Sequence, residues 1–284
     1  MRSIGVMQGR LTPSNGRGIQ FFPFENWREE FRLGQKIGLN EIEWIFDYDR
    51  YEENPLWTDV GISEMKDIIT DTGVKVNSVC FDYFMRRPFF KMGGLDRKEI
   101  RNENLSIAYK ALESMYEIGA ELLEIPFVDD SSIKLDEEDD AISYIREVAD
   151  KAKSLGICVG LETDLPPDED KFAQFIRRID RLNVVANYDT GNSSGLGYDH
   201  RKELLSLGSL IANVHIKDRA LHGETVKLGD GSADFEQFFS TLKEIDYNGG
   251  IILQAARNDE AGVTQTVMEQ VKFLRNYCEK YGLE

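Results

Sequence analysis

The chain is short of positive charge, cysteine and proline, and each shortage excludes something. Its 34 Lys and Arg face 51 Asp and Glu, a formal net charge of −17. Such a surface repels a phosphodiester backbone and offers no basic stripe, so no nucleic acid partner is expected, and no anionic membrane surface either. A few local cations can still hold one phosphate of a small molecule. Cys80, Cys158 and Cys278 are an odd set with no metal-type pairing, which argues against a disulfide framework; Cys80 and Cys158 lie in apolar runs and read as small core residues. No stretch approaches the length of a membrane span, and the opening Met1-Arg2-Ser3-Ile4-Gly5-Val6 has no long apolar signal region, so a cytoplasmic setting is expected. There is no Ser/Gly tract and no proline run to act as a linker. The acidic run Asp136–Asp140 reads as a loop that charges a helix N-terminus.

What the sequence has is rhythm. Short apolar runs near 4–8, 41–46, 75–81, 122–128, 158–162, 184–188, 212–216 and 251–254 alternate with amphipathic stretches, clearest at 102–118, 141–155, 235–245 and 263–280. That alternation implies repeated β/α units and a parallel sheet. Eight units predict an α/β protein, a single (β/α)8 TIM barrel domain over residues 1–284. The doubly wound alternative lacks its glycine fingerprint, since the first strand runs into Gly5-Val6-Met7-Gln8-Gly9-Arg10.

Barrel sites lie at the C-terminal ends of the strands, so polar residues that end apolar runs are the candidates. Glu162 ends the fifth run, Asp189 the sixth and His215 the seventh. Two carboxylates and an imidazole suit Mn, Mg, Co, Zn or Fe, and gathered carboxylates repel unless a cation holds them. Taken singly, Asp189 could cap a helix and His215 could be a packed, hydrogen-bonded histidine; three consecutive strand ends favour the metal. Arg257, Lys217 and Arg219 come from the region where barrels hold phosphate, and Arg10 faces the same mouth. With Asn192 they are the candidates for gripping substrate, salt bridges being the plainer role for the arginines. Gly229-Asp230-Gly231 reads as a tight turn before a helix near Phe235 capped by Asp234. The aromatics at 81–90 and 21–27 are either core or a subunit contact, or a lid that stacks on a sugar face, and Trp44 is barrel packing. His200 and His222 lack a ligand context.

Leu161-Glu162-Thr163, Tyr188-Asp189-Thr190-Gly191-Asn192, Val214-His215-Ile216-Lys217-Asp218, Leu228-Gly229-Asp230-Gly231 and Gly250-Ile251-Ile252-Leu253-Gln254 resemble the successive blocks of the xylose-isomerase-like superfamily of sugar phosphate isomerases and epimerases. The resemblance implies one divalent metal on four strand-end ligands: Glu162, Asp189, His215 and, where the family has a second glutamate, Gln254. In the family's epimerases both glutamates also move the proton, which a glutamine cannot do at neutral pH. Gln254 with Arg257, and the opening Gly5-Val6-Met7-Gln8-Gly9-Arg10-Leu11, resemble a separate branch. Homodimers and tetramers are common in the family. Endonuclease IV, another member, needs a basic surface and more histidines than the three present.

The implied function is a divalent-metal-dependent isomerase or epimerase of a ketose or ketose phosphate, acting through an enediolate. Glu162 is the proton carrier, Lys217 orients the developing oxyanion, and Gln254 is a weak ligand or a hydrogen-bond donor to substrate. A second acid or base could come from Glu124, Asp82 or Asp164. The same site could serve a dehydratase (lyase) of a keto-sugar, keto-acid or inosose. Loss of the fourth glutamate also permits a non-catalytic sugar-binding barrel.

Overall fold

The computed structural model describes residues 4–164, 170–258 and 262–283. In chain order the strands are β1 (Ile4–Met7), β2 (Glu41–Ile45), β3 (Ser78–Cys80), β4 (Leu122–Phe127), β5 (Cys158–Thr163), β6 (Val184–Asp189), β7 (Ile211–Ile216), β8 (Asp218–Arg219), β9 (Thr225–Val226) and β10 (Gly250–Leu253). All but β8 and β9 are parallel and close into one barrel in the order β1-β10-β7-β6-β5-β4-β3-β2. A helix follows each barrel strand: Trp27–Ile37, Asp59–Thr72, Gly94–Ile118, Glu138–Ser154, Lys171–Ile179, His200–Leu207, Phe235–Glu244 and Val263–Tyr281. This is the (β/α)8 architecture that the rhythm of the sequence implies. Among the described residues no helix is long and apolar enough to cross a membrane.

Side chains alternate along a strand, so one face of each strand lines the barrel and the other meets the helices. On β7, Val214 and Ile216 are fully buried apolar side chains, while Asn213 and His215 hydrogen-bond to Glu43 from β2 inside the barrel. A register shift at Ala186/Asn187 interrupts the β6–β7 ladder just below the site. Such bulges twist a strand locally and re-aim its side chains.

Four local features differ from the sequence reading. The third strand is confined to Ser78–Cys80, and the helix expected from residue 102 begins at Gly94. The antiparallel pair β8–β9 follows β7 directly, turned at His222, whose φ is 54°. The lid reading of residues 81–90 is overturned. Phe81, Tyr83, Phe84, Phe89 and Phe90 are buried, and they pack against Phe46, Phe127 and Tyr144. Apolar area of that size goes to the helix layer before it can serve a mobile loop. Trp44 is likewise packing: it meets Phe22, Trp27 and Phe31, and its indole N–H donates to Asn54 Oδ1 at 3.0 Å.

His200 is a buried titratable group away from the barrel axis, packed against Phe238, with Nδ1 2.8 Å from Tyr188 Oη. Burial pulls its pKa down to about 4. An unfolded histidine titrates near 6.5, so between those values the unfolded chain takes up a proton that the folded chain refuses. Stability should therefore fall as pH drops from about 6.5 towards 4, by about 3 kcal/mol in total. Urea midpoints measured across that range should flatten in His200→Gln; an equally steep curve in the variant would contradict this assignment.

Candidate active site at the barrel mouth

Glu162 on β5, Asp189 at the end of β6 and His215 on β7 turn into one spot. Each offers a ligand atom, and these atoms lie within 4.8 Å of one another. His215 Nδ1 is 3.1 Å from Glu162 Oε2 and 3.9 Å from Asp189 Oδ2. Adjacent strands set this up, because Asp189 pairs in register with His215. Asp189 is the helix cap, one of the two roles that the sequence left open. Its Oδ1 accepts the Asn192 amide N–H at 2.8 Å and caps the helix Thr190–Leu196, while Oδ2 faces the site. Glu162 is held by side-chain amides: Asn192 Nδ2 donates to Oε1 at 2.5 Å and Asn187 Nδ2 to Oε2 at 3.1 Å.

Beneath this group lies a residue given no role by the sequence reading. Glu43, fully buried on β2, places Oε1 2.6 Å from His215 Nε2. Its Oε2 accepts from Ser78 Oγ at 2.5 Å and from Asn213 Nδ2 at 3.0 Å. A carboxylate so fixed accepts the hydrogen bond from Nε2–H and leaves Nδ1 towards Glu162 and Asp189. Glu124 Oε2 lies 3.5 Å from the same Nε2. Burial opposes a charged His215, but Glu43, Glu124 and Glu162 outweigh it and hold the imidazole well above its ordinary value. Burial also opposes ionised Glu162, yet His215 and Lys217 win and bring it down to about 2. Glu124 moves up, chiefly through burial. The sequence signal for Glu43 was a carboxylate inside an apolar strand; its partner sits 172 positions away, which no local pattern reveals.

Lys217, next inward after His215, places Nζ 2.7 Å from Asp189 Oδ2 and 3.0 Å from Gln254 Oε1. Its stem crosses Gly191, where an added Cβ would lie 2.6 Å from Lys217 Cγ. Glycine in Thr190-Gly191-Asn192 is therefore a clearance for this lysine. Gln254 passes the interaction on. Its Nε2 donates to Gln20 Oε1 at 3.1 Å, and Gln20 Nε2 donates to Asp82 Oδ2 at 2.7 Å. An amide at 254 thus links a cation to a carboxylate, accepting on one side and donating on the other. Asp82 is buried, and desolvation raises its pKa to about 6. Asp164 is engaged elsewhere, accepting from Ser132 Oγ and the Asp129 amide.

The other cations divide. Arg219 stays at the mouth, with Nη1 3.3 Å from Asn192 Oδ1 and the rest of its fork on the Gly223 carbonyl. Arg10 and Arg257 do not present their forks there. Arg10 donates to the Ala255 and Ile19 carbonyls, and Arg257 to those of Gly9 and Thr12, tying the loop after β1 to the segment after β10. The Gly229-Asp230-Gly231 turn is folded around Asp218. Its carboxylate accepts N–H bonds from Gly229 and Gly231, both at 2.9 Å, and from Ala233 at 3.1 Å. Asp234 caps the helix beginning at Phe235.

Above the cluster opens a cavity of about 460 Å³ lined by Glu162, Asn192, Lys217, Arg219, Gln254 and Asp82 among others. That is room for a small polar substrate.

A closed barrel with an acid–imidazole cluster at its mouth defines a class, and the comparisons supply the family. The model of the family described as "Xylose isomerase-like TIM barrel" matches residues 31–277, so the chain belongs to that family. A curated relative, L-ribulose-5-phosphate 3-epimerase UlaE of Shigella flexneri serotype 5b, is 25% identical over 91% of this chain and 92% of its own. Among solved structures, the IOLI protein with a bound zinc atom superposes with TM-score 0.77 at 17% identity, covering 98% of this chain and 99% of its own. D-allulose 3-epimerase from Methylomonas sp. gives TM-score 0.73 at 17% identity over 97% and 98%. Both the curated relative and this last neighbour are named 3-epimerases.

Asp218 holds the loop that closes this side of the mouth. Asp218→Asn keeps the shape but cannot accept all three N–H bonds, so denaturant unfolding should show a loss of about 1–3 kcal/mol. Gly231→Ala should also destabilise, because its Cβ would lie 2.2 Å from Asp218 Oδ1. Wild-type stability in both would contradict the assignment.

Proposed function

We propose that the chain is a divalent-metal-dependent epimerase of a ketose, with the metal held by Glu162, Asp189 and Nδ1 of His215. The observation that carries this is the convergence of those three donors, with His215 fixed from behind by Glu43. Two carboxylates and one imidazole on a rigid strand platform fit a divalent cation. A cation bound there supplies Lewis-acid polarisation of a substrate carbonyl. Names of relatives support the reading: the curated relative is a 3-epimerase, and one structural neighbour carries zinc.

The residues of the chain do the remaining work. Glu162 is ionised and faces the cavity, so it takes the proton from the carbon beside the carbonyl. Lys217 stands at the same wall and stabilises the negative oxygen that develops as the enediolate forms. Asp82 is the second carboxyl. It enters the cavity from the end of β3, near neutrality in pKa, and returns a proton to the intermediate to give the epimer. Gln254 orients Lys217 and, through Gln20, Asp82. The second glutamate of the two-glutamate scheme is thus replaced by an amide that positions and a separate aspartate that carries the proton. Asn192 and Arg219 hold substrate hydroxyls.

Four measurements test this. Metal-loaded protein incubated with ketoses in deuterated water should place deuterium at the α-carbon and form the epimer without loss of water, as read by NMR; loss of water would make it a lyase. Glu162→Gln should lower kcat on the order of 100- to 10,000-fold, and unchanged turnover would remove Glu162 as the base. Glu43→Gln should weaken Mn²⁺ binding about 10- to 100-fold in a calorimetric titration, and wild-type affinity would remove Glu43 from the support of His215. Since Asp82 donates in its protonated form, kcat/KM should fall as pH rises through about 6. Asp82→Asn should abolish that limb.

A further inference from the structure

We propose that the ketose taken by this site carries no phosphate, and that the cavity rejects the phosphate ester through its own carboxylates. The inference rests on the epimerase reading above and narrows its substrate class. It runs against the phosphorylated ketose in the name of the curated relative.

A terminal phosphate needs donors that are available to it: an arginine fork, backbone N–H groups, or a helix N-terminus. Barrels of this kind gather such donors after the seventh and eighth barrel strands. Here the obvious ones at that place are engaged within the chain. The glycine turn after β9 directs the N–H groups of Gly229, Gly231 and Ala233 onto Asp218, which is itself fully buried. Gly231 has no Cβ because Asp218 occupies that space. Arg257, after β10, spends Nη1 and Nη2 on the Gly9 and Thr12 carbonyls, and Arg10 donates to the Ala255 and Ile19 carbonyls. A phosphate arriving there meets a carboxylate already seated in the cradle.

The charge of the cavity points the same way. Seven carboxylic side chains line it against three cationic ones. Of the three, Lys217 is paired with Asp189, and Arg219 is bound to Gly223 and Asn192, leaving exposed Arg86 at the rim beside Asp47. Asp129, Asp130 and Glu224 also line the cavity and are exposed, and a sugar gripped by its carbonyl at the Glu162 cluster would extend its far end towards them. A divalent cation at the Glu162 cluster would leave these outer acids as they are. A phosphate dianion placed among such groups is repelled, whereas neutral hydroxyls find acceptors in every carboxylate.

The experiment compares a ketopentose with its own terminal phosphate ester, and a ketohexose with its ester, on the Mn²⁺-loaded full chain. Both kcat/KM for α-deuterium exchange and affinity by calorimetric titration are measured. The free sugar should exceed its ester at least about tenfold in both. The gap should narrow as salt rises, because charge repulsion across solvent is screened. It should also narrow in the double variant Asp129→Asn/Asp130→Asn. Asn tolerates the left-handed backbone of residue 129, whose φ is 50°. An ester that equals or beats the free sugar would overturn the proposal, as would a gap that neither salt nor the double variant moves. If neither compound exchanges deuterium, the epimerase reading fails, and the affinities still rank sugar against ester and decide this inference separately.

Discussion

The imidazole of His215 lies fully buried with carboxylates on both of its nitrogens, and the rest of the mouth is arranged around that fact. Glu43 reaches Nε2 from β2, which is separated from β7 in the barrel by β1 and β10. On the other side Nδ1 meets Glu162 and Asp189. Taking a histidine and several carboxylates out of water is costly unless each finds a partner. Here each does. Ser78 and Asn213 hold Glu43, Asn187 and Asn192 hold Glu162, and the cap of the following helix holds one oxygen of Asp189. The result is a platform whose donor atoms are aimed before any ligand arrives, which is what a binding or catalytic centre requires.

From that platform the polar network runs outward in one direction. Lys217 bridges Asp189 and Gln254, Gln254 donates to Gln20, and Gln20 donates to Asp82. The chain of contacts crosses from β7 through β10 and the loop after β1 to the end of β3. It gives a physical meaning to glutamine at 254: a glutamate there could accept from Lys217 but has no N–H to offer Gln20. The acidic balance of the whole protein reappears in the cavity, where the basic groups nearest to it are spent on fixing loops. On the proposed function, the charge that argues against nucleic acid in the sequence would also sort sugars at the mouth.

The barrel was legible because its signal is repeated. Apolar strand runs and amphipathic helices recur, and their spacing leaves few topologies. The cluster of Glu162, Asp189 and His215 was legible for the same reason, since each ends a strand and the barrel rule sends strand ends to one face. What could not be read was direction. Arg10 and Arg257 stand at the right strands, yet their forks end on main-chain carbonyls. Glu43 pairs across the interior with a residue far away in sequence. The aromatics of 81–90 carry the same letters whether they form a lid or a core, and only packing against Phe127 and Tyr144 decides. Gly191 and Gly231 look like ordinary turn or helix punctuation; in the fold they are clearances for Lys217 and Asp218.

Crystals grown with Mn²⁺ and measured for anomalous scattering address the centre of this account. One peak bonded to Glu162, Asp189 and Nδ1 of His215, with Nε2 still on Glu43, is the predicted result. A peak bonded through Nε2, a peak elsewhere in the barrel, or none at saturating metal would contradict it.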